Sequence, residues 1–136
     1  MLNDLIQQRP DAVTAWMNAE LDAQLFLADL NNAGEVAAMA EAQTEQIDKK
    51  VLWASMYSGP EGTTKLTLDF AITDQAKVLL KNATGFLYSL PRKPAAAAEI
   101  RGDGIMPNFA ADVLKARGLT APVGVIKSQP MSAYKE

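Results

Sequence analysis

The chain contains no cysteine and no histidine. Without cysteine there is no disulfide, no thiol nucleophile and no zinc–thiolate cluster. Without histidine it lacks the most frequent general base near neutral pH and the commonest metal ligand. Any catalysis would have to run on carboxylates, lysines, serines, threonines or tyrosines. These absences favour a non-catalytic protein with no metal and no cofactor. No apolar run reaches the roughly 20 residues that cross a bilayer. The opening residues, Met1 to Arg9, lack a basic segment followed by an apolar one, so no secretory leader is read there. A cytoplasmic location, or one inside an assembled particle, is the expectation.

What is present is unevenly distributed. Through Asp74 there are twelve carboxylates against four basic residues, a net of −8. From Gln75 onward nine basic residues face four carboxylates, a net of +5. Such asymmetry suits either an anionic partner at the basic half or head-to-tail contact between subunits. With 136 residues the chain is long enough for one domain with its own core, taken here as 1–136.

The strongest pattern lies between Asp11 and Ser58. Val13, Trp16, Met17, Leu21, Leu25, Phe26, Leu27 and Leu30, with alanines between them, leave only a narrow polar stripe of Asp11, Thr14, Asn18, Asp22 and Asp29. A helix so apolar around its circumference is usually covered on more than one side. Pro10 and Asp11 suit its first turn, and Gly34 suits a break. A second helix is read from Glu35 to Tyr57. In it Ala37, Ala40, Thr44, Ile47, Val51 and Ala54 recur in steps of three and four, a heptad seam of mostly small residues. The pair reads as an αα-hairpin over 11–58. Trp53 and Met56 lie off the seam and would anchor contact with another chain.

Beyond the breaker Ser58-Gly59-Pro60-Glu61-Gly62, residues Thr64 to Ile72 alternate as a strand with Leu66, Leu68, Phe70 and Ile72 on its buried face. Thr73 caps a helix expected to stop at Gly85. The apolar run Phe86 to Leu90 then reads as a second strand, parallel to the first through a right-handed crossover. Pro91 to Asn108 reads as a long surface loop and Asn108 to Arg117 as a helix closed by Gly118. Pro122 to Ile126 reads as a last strand. The predicted fold is therefore α/β or α+β. An αα-hairpin packs on a small, about three-stranded, partly parallel sheet with two further helices over 63–126, followed by a polar tail at 127–136.

Lys77 and Lys81, one turn apart, are followed by Phe86 and Tyr88 and then by Arg92 and Lys93. Basic residues interleaved with aromatics can track a nucleic-acid backbone and stack its bases. The plainer reading is a solvated helix face beside a strand core. Arg101-Gly102-Asp103-Gly104 ahead of a helix can cradle a phosphate, but its spacing matches neither a Walker loop nor a dinucleotide fingerprint, and a turn explains it. Asp69 and Asp74 flank a strand end, yet the solvent face of a strand and the first turn of a helix account for both. The leading expectation is a subunit of a larger oligomeric complex, such as a viral particle, with loop and tail held by neighbouring copies. A module binding nucleic acid or another polyanion is the alternative, and a small carboxylate-dependent enzyme stands third.

Overall fold

The computed structural model describes residues 3–44, 47–90 and 108–135. It is rich in helix and carries one small sheet. A short helix α1 (Asn3–Gln8) leads into α2 (Pro10–Ala28). Pro10 supplies a first-turn residue that needs no hydrogen bond. Arg9 pairs with Asp11 at 2.9 Å and holds that carboxyl below its ordinary range. Val13 and Leu21 are buried and Met17 and Leu25 half-buried along one side of α2.

The break after α2 comes at Asp29 rather than at Gly34. Asp29 adopts extended backbone, and its carboxylate accepts the Asn31 N–H at 2.9 Å, starting a 3-10 turn over Leu30–Asn32. Helix α3 (Ala33–Thr44) follows directly, with Gly34 inside its first turn. The long second helix is also divided. Helix α4 (Lys49–Tyr57) is capped by Asp48, which accepts from the Lys50 N–H at 2.7 Å. The Glu41 carboxylate reaches across to accept the Lys49 N–H at 2.9 Å. The hairpin that forms is thus α3 with α4, not α2 with one long helix. Small residues do serve it: Ala37 is fully buried and Ala40 and Ala54 are half-buried. The heptad does not hold throughout: Ile47 and Val51, on either side of the Asp48 cap, are exposed.

Strand β1 (Thr64–Leu68) pairs antiparallel with β2 (Gly124–Lys127), Leu66 opposite Ile126 and Leu68 opposite Gly124. The sheet has these two strands among the described residues. The strand ends at Leu68, its one buried residue, and Phe70 two residues on takes φ of 59°, outside the strand conformation. A bulky residue there is strained by about 1–2 kcal/mol. Phe70 offsets that cost by packing beside Leu21, Val113 and Leu114. Leu66, expected inside, stays exposed.

The second strand of the expected crossover is absent. Thr73 accepts the Ala76 N–H at 3.1 Å, as its capping role predicts, but the helix it starts, α5, runs Asp74–Ser89 straight through Gly85. Glycine inside a helix costs only about 1 kcal/mol relative to alanine. Phe86, Leu87 and Leu90 also continue the spacing set by Ala76, Leu79, Leu80 and Ala83, so the helical period outlasts the glycine. Helix α6 (Asn108–Ala116) buries Ala110, Val113 and Leu114, with the last two against Leu21. Gly118, at φ of 64°, closes it with the Leu119 N–H on the Leu114 carbonyl at 2.9 Å.

The polar tail is part of the body. Gln129 donates its N–H to the Tyr57 carbonyl at 2.8 Å and accepts from the Gly59 N–H at 3.2 Å. Tyr134 packs edge-on against Trp53 at 5.6 Å between ring centroids. The expectation that neighbouring copies hold the tail is therefore corrected: Trp53, Tyr57 and Ile126 hold it from within.

Strand β2 crosses the end of α2 so closely that a Cβ on Gly124 would lie 2.5 Å from the Ala28 Cβ. Gly124→Ala is expected to cost about 1–3 kcal/mol through forced separation of strand and helix. A thermal midpoint several degrees lower would show it. An unchanged midpoint would mean that β2 and α2 do not approach this closely.

Candidate interaction surface

The expected anchors Trp53 and Met56 belong to the interior. Trp53 is 4% exposed, lies 6.0 Å from the Tyr57 ring, and meets Tyr134 on another side. Met56 is half-buried against the same cluster. The indole surface assigned to a partner is thus taken up within the chain.

A different tryptophan is open. Trp16 is 65% exposed on the side of α2 away from Leu21, at the edge of a line of exposed Ala15, Ala19 and Ala23. Sequence alone predicts that α2 is covered on more than one side. Among the described residues the Val13–Leu21 side is covered by α6, and Leu27 and Ala28 at its end pack on the Tyr57 core and β2, while Ala15, Trp16, Ala19 and Ala23 stay exposed. Glu20, beside this open face, makes no ion pair among the described residues, and Asp22 is held by Arg117 at 2.8 Å.

The larger open surface is α5, in which no side chain is buried. On a helical projection Ala76, Leu79, Leu80, Ala83, Phe86, Leu87 and Leu90 fall within one stripe about 120° wide. Leu79 is 62% exposed and Phe86 64%. Such a stripe on a soluble helix normally faces a core. Lys77, Lys81 and Tyr88 sit together on the other side of α5, at one-turn and two-turn spacing. Asp74 binds Lys77 at 2.9 Å, which lowers the Asp74 carboxyl below its usual range. Lys81 makes no ion pair among the described residues.

The remaining sequence-predicted residues, Arg92, Lys93 and Arg101, lie outside the described residues, as does Arg101-Gly102-Asp103-Gly104. The described residues contain no cluster of three or more carboxylates placed to hold a metal, and no helix among them is long and apolar enough to cross a membrane. An open depression of about 620 Å³ lies beside Trp53 and is lined also by Lys49 and Lys135, but among the described residues none that lines it has a buried side-chain polar atom lacking a partner.

Comparison with protein-family models, with curated proteins and with solved structures finds no match to this chain. The functional reading therefore rests on the surface itself. Sequence reasoning missed that surface because it divided α5 at Gly85. Following the three-and-four spacing from Ala76 to Leu90 through the glycine would have found it.

Proposed function

We propose that this protein is a non-catalytic assembly protein that joins copies of itself into a larger oligomer. One observation carries the reading: α5 holds Leu79, Leu80, Phe86 and Leu87 in one exposed stripe and buries no side chain within the chain. Each large apolar side chain moved from water into a contact contributes about 1.5–3 kcal/mol before the costs of association are subtracted. A contiguous apolar patch of this kind marks an interaction site. The absence of cysteine and histidine weighs against catalysis by residue type. A structural subunit of a particle, including a viral one, fits this role.

The test is the mass of the chain in solution. Light scattering should give a multiple of 14.6 kDa that grows with concentration. Leu79→Glu combined with Phe86→Glu should reduce it to the single-chain mass while circular dichroism and the thermal midpoint hold, since neither residue supports the body. A wild-type chain that stays at single-chain mass at high concentration would overturn the reading.

The opposite side of α5 favours a second reading, in which Lys77, Lys81 and Tyr88 contact a nucleic-acid backbone and base. In that case binding should weaken steeply with added salt as counterions are released. Lys77→Glu with Lys81→Glu should abolish it and leave the oligomer mass intact. No retention of single-stranded nucleic acid at low salt would remove this reading.

A further inference from the structure

Two apolar helix faces in this chain lack a partner among its described residues, and they are of opposite character. The α5 stripe projects leucines and a phenylalanine. The open face of α2 offers a shallow track of Ala15, Ala19 and Ala23 with Trp16 standing at its edge. Large side chains on one helix set against small ones on another are what close helix packing requires. The lengths agree as well: 16 residues of α5 span about 24 Å and 19 residues of α2 about 28 Å.

Charge points the same way. Helix α2 carries Asp11, Glu20 and Asp22, of which Asp11 and Asp22 are paired with Arg9 and Arg117 and Glu20 makes no ion pair among the described residues; α5 carries Lys77, paired with Asp74, and Lys81, which makes none among them. The lysines sit together on the side of α5 away from the apolar stripe, so they can steer the approach but form no close pairs within the contact. Two α5 stripes set face to face would bring large side chains against large ones.

Resting on the assembly reading above, we infer that the α5 stripe of one copy docks on the Trp16 face of α2 in a second copy. The contact joins two different surfaces. A reciprocal exchange closes into a dimer, and a one-way contact continues into rings or filaments. It also covers the Ala15–Ala23 face of α2, which the described residues leave exposed. Trp16, beside the alanine track, becomes the large apolar anchor that α2 brings to this contact, in keeping with the enrichment of tryptophan among residues that dominate binding.

The absence of cysteine makes a direct test simple. Ala19 lies at the middle of α2's open face and Ala83 near the middle of the α5 stripe, so they oppose each other whichever way the helices run. Ala19→Cys and Ala83→Cys chains are prepared separately, shown by light scattering to keep the wild-type mass, and treated with a short bismaleimide. The inference predicts a cross-linked pair when the two are mixed and little or none when either is treated alone. A dimer mass and a larger mass both support the contact and report how it closes. Efficient linkage of Ala83→Cys chains to one another would replace the inference with an α5–α5 pair. Linkage inside a single chain carrying both substitutions, at single-chain mass, would show α5 folding back on its own α2 and overturn it. An oligomer without mixed linkage would overturn the contact and leave the assembly reading standing, whereas a chain at single-chain mass throughout would remove both. Trp16→Ala gives an independent readout, since a residue that is 65% exposed does not support the fold. The concentration for half-dissociation should rise roughly tenfold or more. An unchanged value would contradict the docking.

Discussion

The hydrogen bond from the Tyr57 hydroxyl to the Leu27 carbonyl, 3.1 Å long, ties α4 to the end of α2. Its immediate surroundings join most of the body. The Tyr57 ring is fully buried beside Trp53, and its own carbonyl accepts the Gln129 N–H, bringing the tail in. Burial pushes the phenol above its ordinary pKa, so the hydroxyl remains a donor through the neutral range. The bond itself contributes only about 0.5–1.5 kcal/mol. Its importance is positional. It fixes where α2 ends relative to α4, and β2 crosses that end with room only for the hydrogen of Gly124.

Once that arrangement is in place, the body closes without α5. Two cores account for it, one around Tyr57, Trp53 and Ile126 and the other around Leu21, Val113 and Leu114. Neither includes a residue of α5. The same geometry turns the Val13–Leu21 side of α2 inward and leaves Trp16 outward. The two open apolar faces are thus consequences of how the cores are satisfied, and an apolar face that the described residues leave uncovered is one that another chain can cover.

Much of this was legible in the residues. The starts and stops dictated by local chemistry came out as read: Pro10 and Asp11 opening α2, Thr73 capping α5, and Gly118 closing α6. What failed was reading that depended on competition between local and distant terms. Asp29 and Asp48 use their carboxylates to break helices that apolar periodicity alone would continue. Gly85 does not break the helix that local glycine chemistry predicts it to end. Phe86 to Leu90 is short enough for strand and helix periods to fit equally, and only its phase with Leu79 and Ala83 separates them. Trp53 and Trp16 are indistinguishable by composition, and the burial of one and exposure of the other depend on tertiary packing.

Hydrogen exchange read by mass spectrometry at two protein concentrations tests the central claim most directly, because protection reports how firmly each helix is held. In dilute solution α5 should exchange far faster than α4 and β2. At high concentration α5 should slow markedly while α4 and β2 do not change. An α5 as protected as α4 in dilute solution, with no response to concentration, would show that it packs on its own body and would contradict the account.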